Sequence, residues 1–360
     1  MMMSTKNITD LPDSPEFWAD PLGGQQITTS LAEYTELASR PEEFYVTKDI
    51  QEFRNDFQVY LDEKKHHVAK YVLPFKQTTL DGKEKAIDFE FRPGELTVLA
   101  GENGSGKSLL LGQIGLHLLA AGASLYIASF EMAPVKTIER MLTQVVCSRD
   151  KRVIEENDIN LFFNEYATRL HICDLQRKVD PDELIRLLEA AVKYYKSDIL
   201  FVDSLMMCVR DDIDKEETDY VMGQLVDFAR ANSVHIVVVA HCRKRSDSSS
   251  KSFNVFDAAT KDSIKGSSNI TNIACNVFVL ARDYSKVQKR AEGKDVDDSK
   301  PDFVLNLCKQ RHGGYEGFIK LWRDNASLNF CTSMLRIPVR PALTKDIPAP
   351  DEEKVIEPYF

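Results

Sequence analysis

The chain has 360 residues, a net charge of -10 at pH 7 and 43% hydrophobic residues. These values allow one large core with a modest extra segment at either end. No apolar run is long enough to span a bilayer, and the first residues lack the apolar core of a signal peptide, so we expect a soluble, cytoplasmic protein. The negative charge argues against binding of polyanions over the whole surface, but it allows a locally basic channel.

Seven cysteines are scattered along the chain, and none forms a Cys-x-x-Cys pair. Most of them lie in apolar segments that are predicted to be strands. This distribution is typical of reduced, buried thiols. We therefore expect neither a zinc site nor a disulfide framework.

Residues 1–69 are predicted to form an N-terminal extension. Prolines and a Gly-Gly pair interrupt this segment before about residue 45. From about residue 48 to 65, apolar side chains recur at steps of three and four residues, which is typical of one face of a helix. That face either packs on the chain's own core or docks on a neighbouring subunit. Its members are Ile50, Phe53, Phe57, Tyr60 and Leu61.

Between residues 70 and 337, predicted strands alternate with predicted helices. A hairpin turn is expected at Asp81-Gly82, followed by strands near 124–130, 169–173, 198–203, 234–240, 276–282 and 302–309. Strands that are apolar throughout and separated by helices predict an α/β fold with a mostly parallel central sheet. Residues 338–360 are acidic and contain prolines, and they are predicted to form a flexible tail.

A glycine-rich turn lies between a predicted strand and a predicted helix. Its spacing, Gly101-x-x-x-x-Gly106-Lys107-Ser108, matches the P-loop pattern. The glycines let backbone amides turn toward phosphate oxygens, the lysine adds a charge, and the serine hydroxyl can ligate Mg²⁺. The following helix adds its positive dipole end. The predicted phosphate cradle is made of Gly101, Glu102, Asn103, Gly104, Ser105, Gly106, Lys107 and Ser108.

Three polar side chains follow predicted strands, where ligands of an open parallel sheet bind. Asp203 could hold Mg²⁺ through water, and the alternative is a helix cap. Glu131 could orient and deprotonate a water aimed at a γ-phosphate, and the alternative is a surface carboxylate. His241 could bond to the γ-phosphate and report its loss, and the alternative is a structural imidazole.

Two cations close the predicted strand 302–309, just before His312-Gly313-Gly314. Lys309 and Arg311 could project across a subunit boundary, with Arg311 as an arginine finger. The alternative is a pair of exposed hairpin cations. The serine-rich, intermittently basic segment 243–268 is either a surface loop or a ligand-binding loop.

Taken in order, these motifs resemble those of the DnaB-like hexameric replicative helicases of superfamily 4, in particular the helicase part of phage helicase-primases. The resemblance covers about residues 70–330. It implies a RecA-like P-loop NTPase core, a ring of subunits with ATP, dTTP or another NTP and Mg²⁺ between neighbours, and single-stranded DNA in the centre. The motifs that carry it are the loop 101–108, Glu131, the strand ends 200–204 and 237–241, the turn 265–268 and the triplet 309–311.

The resemblance also implies a role for each matching residue. Lys107, Ser108 and Asp203 would bind phosphate and Mg²⁺, Glu131 would be the catalytic base, His241 the γ-phosphate sensor, and Lys309 and Arg311 the cations given to the neighbouring site. Arg282 and Trp322 are candidates for stacking on the nucleotide base. Asn272 stands where many members carry glutamine. The implied DNA-binding residues, in two loops, are Arg243, Lys244, Arg245, Lys251, Lys265 and Ser267.

The predicted function is that of an NTP-driven ring helicase which moves on single-stranded DNA during replication, in a bacterial host if the chain is phage-encoded. No primase domain fits in the first 70 residues, so a minimal subunit is expected, with helix 48–65 similar to the family's linker helix. The tail ending in Phe360 resembles phage helicase tails that dock on a DNA polymerase, and a primase is another candidate partner. The alternatives are a RecA- or KaiC-like DNA-binding ATPase without unwinding activity and a P-loop kinase of a small molecule.

Overall fold

The computed structural model describes residues 50–51, 53–78, 84–147, 153–209, 215–243, 254–266, 269–313 and 315–338. The chain divides into two compact units, residues 1–68 and 69–360. The first unit contains helix α1 (Arg54–His66), which has no buried residue. Its last turn carries Lys64, Lys65 and His66, which favour the negative end of the helix dipole. The aromatic rings of Phe57 and Tyr60 stack on its surface at 6.3 Å.

The second unit begins with a small antiparallel pair, β1 (Lys76–Thr78) and β2 (Glu84–Ala86). These two strands are in the places expected for a hairpin, and the proposed turn at Asp81-Gly82 lies outside the described residues. The helices that follow are α2 (Lys107–Ala120), α3 (Pro134–Val146), α4 (Glu156–Tyr166), α5 (Pro181–Tyr195), α6 (Lys215–Asn232), α7 (Val255–Ala258), α8 (Asn269–Ile273) and α9 (Tyr284–Ala291).

The central sheet is built of β3 (Leu96–Gly101), β4 (Leu125–Ser129), β5 (Leu170–Ile172), β6 (Ile199–Asp203), β7 (His235–His241), β8 (Asn276–Arg282), β9 (Phe303–Gln310), β10 (Gly317–Arg323) and β11 (Phe330–Cys331). The strand order is β11-β10-β9-β8-β3-β7-β6-β4-β5. The six strands from β8 to β5 are parallel. The predicted mixed α/β fold with a mostly parallel sheet is therefore confirmed.

Helices cover both faces of the sheet, and an apolar cluster lies between the helices and the sheet on each face. Leu110 and Met141, from α2 and α3, belong to one cluster. Leu184 and Leu225, from α5 and α6, belong to the other. Local signals fix where these helices start: Asp180 caps α5 by accepting a hydrogen bond of 2.8 Å from the Glu183 amide.

One end of the sheet runs against the parallel direction. Strand β9 pairs antiparallel with β8, and β10 and β11 continue the antiparallel order. The apolar pattern of residues 302–309 suggested another parallel strand, but such a pattern does not encode the direction in which the chain returns. The reversal places the carboxyl end of β9 beside the amino end of β8, where Gln310 lies opposite Asn276.

All seven cysteines are free thiols, and six of them are buried while Cys308 is half-buried. Burial raises the pKa of the Cys308 thiol to about 12. Among the helices that the structure describes, none has the length and apolar character to cross a membrane.

Candidate nucleotide-binding site

The phosphate cradle lies where β3 ends and α2 begins. The Lys107 side chain is buried, and its Nζ donates hydrogen bonds to the carbonyl oxygens of Gly101 (2.9 Å) and Glu102 (3.0 Å). Burial lowers the pKa of this ammonium group. The loop thus surrounds a desolvated cation that can bond to phosphate oxygens.

Two of the glycines are required by the close packing of the cradle. A Cβ at Gly101 would lie 2.6 Å from the carbonyl oxygen of Leu280. Gly106 has a φ of 95°, in the left-handed region, and a Cβ there would lie 3.1 Å from the ring of Phe330. Any other residue would strain the loop at both positions.

Ser108 and Asp203 bring two oxygen ligands together at the carboxyl edge of the sheet. Ser108 Oγ donates a hydrogen bond of 2.8 Å to Asp203 Oδ2. Asp203 is buried, and this burial raises the pKa of its carboxyl group. A hydroxyl and a carboxylate are the hard donors that Mg²⁺ prefers. The two side chains therefore fit a magnesium site.

Glu131 is the second carboxylate at this edge, and its environment differs from that of Asp203. It accepts a short hydrogen bond from Ser204 Oγ, and His241 Nε2 lies 3.4 Å from the same oxygen. These contacts lower the pKa of Glu131 to about 2, and the contact with His241 has the largest effect. With 44% of its side chain exposed, Glu131 is an ionised carboxylate open to a water molecule.

An arginine and a tyrosine border the cradle on the side of β8. Arg282 Nη1 lies 3.3 Å from the carbonyl oxygen of Gly104, and its guanidinium lies 5.6 Å from the centre of the Tyr284 ring. The Tyr284 hydroxyl donates to the carbonyl oxygen of Asn103 at 3.1 Å. Trp322, the other stacking candidate, is buried, and its indole donates to the carbonyl oxygen of Asp298. Sequence reasoning missed Tyr284, although it follows the strand-end arginine by two positions.

Lys309 and Arg311 do not join the other predicted residues within this chain. Gly101 lies opposite Leu280 of β8, whereas Gln310 lies opposite Asn276 at the start of the same strand. Those four residues correspond to about 13 Å along the strand. The two cations therefore lie at the edge of the sheet opposite the cradle.

At that edge, Lys309 is bound within its own chain. Its ammonium donates to the carbonyl oxygens of Thr271 (2.8 Å), Asn272 (2.9 Å) and Ala274 (2.8 Å), at the end of α8. Arg311 is exposed and makes one hydrogen bond of 3.2 Å to the Asn272 carbonyl oxygen. Lys309 can act in a neighbouring site only by giving up its three bonds.

Two of the residues predicted to bind DNA lie directly beside His241. The Arg243 amide donates to the Ser263 carbonyl oxygen, and the Lys265 amide donates to the His241 carbonyl oxygen, each at 2.7 Å. Both basic segments therefore leave the sheet at the edge that carries the cradle. Lys244, Arg245, Lys251 and Ser267 lie outside the described residues.

The fold and this edge of the sheet define a RecA-like P-loop NTPase. The family model described as DnaB-like helicase C terminal domain matches residues 83–330, and the chain belongs to that family. It is accordingly an NTP-hydrolysing helicase that uses a nucleotide together with Mg²⁺.

Two solved structures share the fold. A structure described as a DnaB-like replicative helicase and its interactions with primase has 13% identity and a TM-score of 0.57, with 85% of this chain and 72% of that chain covered. A second structure, described as an ATPase domain, has 14% identity and a TM-score of 0.58, with 77% of this chain and 97% of that chain covered. At these identities the likeness concerns the fold.

Proposed function

We propose that the chain is a subunit of a ring helicase that hydrolyses ATP, or another NTP, between neighbours and moves along single-stranded DNA. The observation that supports this most is the division of the site between two edges of one sheet. The cradle and both carboxylates lie at one edge, whereas Arg311 is exposed at the other. A second copy of the chain could supply the missing cation.

In this proposal, the loop amides and Lys107 bind the β- and γ-phosphates, and Ser108 and Asp203 hold Mg²⁺. A Mg²⁺ ion held by these two side chains would supply positive charge to neutralise the charge that develops on the phosphate oxygens. Glu131 accepts a hydrogen bond from the attacking water and takes its proton late, because a loose transition state needs little help from a base. Its low pKa suits this role, since the group is ionised before the water arrives.

His241 and Arg311 complete the proposed cycle. His241 lies beside Glu131, and its Nε2 can exchange that carboxylate for a γ-phosphate oxygen. Arg311 of a neighbouring subunit stabilises the transition-state charge. Arg282 and Tyr284 contact the backbone of the cradle and offer a guanidinium plane and a ring to the nucleotide base.

For DNA, the proposal uses the two segments that start at His241. A movement of His241 on loss of the γ-phosphate would shift Lys265, because the Lys265 amide donates to the His241 carbonyl oxygen. Cations of these segments would follow a phosphate backbone without reading its sequence. The proposed site in the central channel consists of Arg243, Lys244, Arg245, Lys251, Lys265 and Ser267.

The proposed assembly is a hexamer, with residues 1–69 as an extension, 70–337 as the ATPase domain and 338–360 as a tail. The exposed aromatic face of α1 suits docking on an adjacent subunit. The acidic tail with its terminal Phe360 would offer an apolar anchor with complementary charge to a replicative polymerase or a primase. We place this assembly in the cytoplasm, that of a bacterial host if the chain is phage-encoded.

Unwinding of a forked DNA substrate tests the proposal. The intact protein should separate the strands in the presence of NTP and Mg²⁺, and Lys107→Ala should abolish this because phosphate binding loses its cation. DNA-stimulated hydrolysis without strand separation would instead indicate a RecA- or KaiC-like ATPase. Full activity as a monomer, unaffected by Arg311→Ala, would indicate a kinase-like enzyme.

A further inference from the structure

A buried polar network lies at the amino ends of β3, β7 and β8, at the edge of the sheet opposite the cradle. Asn276 Nδ2 donates to Glu95 Oε2 (2.9 Å) and to Thr97 Oγ1 (3.2 Å). His235 Nε2 lies 2.9 Å from the same Thr97 oxygen, and His235 Nδ1 lies 2.7 Å from the Arg92 carbonyl oxygen. Burial lowers the pKa of His235 to about 4. His235 is therefore neutral, and the network gives Glu95 no cation from inside the sheet.

The remaining oxygen of Glu95 faces the loop that carries Arg311. His312 Nε2 lies 3.1 Å from Glu95 Oε1, a distance typical of an ion pair, although that oxygen accepts no hydrogen bond. The two side chains differ in exposure, at 7% for Glu95 and 55% for His312. A buried carboxylate favours a cationic or donating partner strongly, because its charge is poorly solvated. Glu95 is thus an anchor for a surface imidazole.

Two further contacts hold the same short loop. Gln310 Nε2 donates to the Asp88 carbonyl oxygen at 3.1 Å, and Arg311 bonds to the end of α8. His312 follows Arg311 directly, so its position limits where the guanidinium can reach. Strand β3 begins immediately after Glu95 and ends at Gly101 of the cradle. One strand therefore connects the anchor of this loop to the phosphate site of the same subunit.

We propose that His312 and Glu95 are positioning residues that hold the Arg311 loop in the orientation in which it serves the neighbouring subunit. This inference rests on the proposed function, in which Arg311 acts in a neighbour's site. In this role His312 acts through Arg311. Glu95 acts through His312. Because Glu95 directly precedes β3, and β3 ends at the cradle, a shift at the cradle of a subunit can change the position of that subunit's Arg311.

His312→Ala tests the inference: it removes a largely exposed side chain, although it also takes from the buried Glu95 its nearest charged neighbour, so the stability of the variant is measured alongside its rate. We expect the rate of NTP hydrolysis per site to fall about 10-fold, since a small misplacement of a catalytic group costs up to about 100-fold. Nucleotide affinity should stay within about twofold, because the cradle is intact. His312→Gln, which keeps a donor toward Glu95, should restore most of the rate. A matched control is Lys294→Ala, which removes an exposed ion pair with Glu292 and should change nothing.

Two measurements separate positioning from a general structural role. In an Arg311→Ala background, His312→Ala should cause no further loss of rate, because residues that act as a unit are not additive. In co-expressed mixed assemblies, His312→Ala subunits should regain activity with Lys107→Ala subunits, which supply an intact finger. They should not regain activity with Arg311→Ala subunits. Additive losses, recovery with the Arg311→Ala partner alone, or an unchanged rate in His312→Ala would each overturn the inference.

A further mixed assembly tests the proposed function by itself. Mixed assemblies of Lys107→Ala and Arg311→Ala subunits should be active, because one copy brings the cradle and the other the finger. If that mixture is inactive, donation of Arg311 to a neighbour is wrong, and the inference fails with it. If that mixture is active while the His312→Ala mixtures behave otherwise than expected, only the role of His312 is wrong.

Discussion

At the scale of single residues, Asp203 and Glu131 lie at the same edge of the sheet, yet their pKa values move in opposite directions. Burial dominates at Asp203 and raises its pKa, whereas contacts with His241 and Ser204 dominate at Glu131 and lower its pKa to about 2. Ionisation of Asp203 therefore costs folding stability, and a bound cation would offset that cost. Glu131 holds its charge without such help.

This difference predicts that Asp203→Asn stabilises the nucleotide-free protein. Because burial raises the pKa of Asp203 in the folded state, its carboxyl group ionises more readily in the unfolded state and favours unfolding at pH values above the ordinary pKa. Its removal should raise the melting temperature by about 2–4 °C, the shift expected for about 1 kcal/mol. The gain should shrink as the pH falls through the raised pKa toward the ordinary value of 3.8.

Thermal unfolding without MgATP measures the gain in stability of the nucleotide-free variant, and thermal unfolding with MgATP measures the loss of stabilisation by the ligand. We expect MgATP to stabilise the wild type and expect this stabilisation to be lost in the variant. Asp227→Asn is the matched control, because that carboxylate is exposed and should shift neither quantity. A nucleotide-free variant that melts below the wild type would contradict the prediction.

At the scale of elements, the triplet at the end of β9 contains two cations with different attachments. Lys309 satisfies three carbonyl groups near the end of α8, whereas Arg311 makes one bond and is exposed. Carbonyl groups at a helix end need such donors. Within one subunit, Lys309 is thus part of the joint between β9 and α8.

Lys309→Ala should therefore lower the free energy of unfolding by about 1–3 kcal/mol, because it leaves backbone acceptors without their donor. Arg311→Ala should lower it by less than about 0.5 kcal/mol, as is usual for an exposed side chain. Denaturant unfolding of the two variants measures the difference. Equal losses in the two variants would show that Lys309 is not bound in this way in solution.

The parallel half of the sheet could be predicted from sequence because each of its strands is apolar throughout and the chemistry follows at the strand end. The phosphate loop, Glu131, Asp203 and His241 were located for that reason. The antiparallel direction of β9 could not be predicted, because it depends on the route of a connection. Contacts such as Tyr284 with Asn103, or His312 with Glu95, join distant parts of the chain and leave no local pattern.

At the scale of the whole molecule, the net charge of -10 and the proposed binding of DNA are compatible only if cations are concentrated in a small region. The proposed region is the pair of segments that begins at His241. Since single strands release about 0.7 counterion per neutralised phosphate, affinity should depend on salt in proportion to the number of these cations.

Joint replacement of Arg243, Lys244 and Arg245 by alanine should therefore weaken binding to single-stranded DNA and reduce the salt slope by about 2. Titrations of a labelled oligonucleotide at several salt concentrations measure this. A triple replacement of exposed cations elsewhere, at Lys64, Lys65 and Lys193, serves as a control and should leave the slope as it is. An unchanged slope in the first variant would remove these residues from the DNA site.

The reversed direction of β9 also affects how fast an unassembled subunit can hydrolyse NTP. Under the proposed role of Arg311, a newly made subunit can hold a nucleotide but lacks the group that speeds its cleavage. Turnover per subunit should then rise with protein concentration until assembly is complete, rather than stay constant. NTP would then be hydrolysed rapidly only by assembled subunits, and unassembled subunits would hydrolyse little of the NTP in the cell.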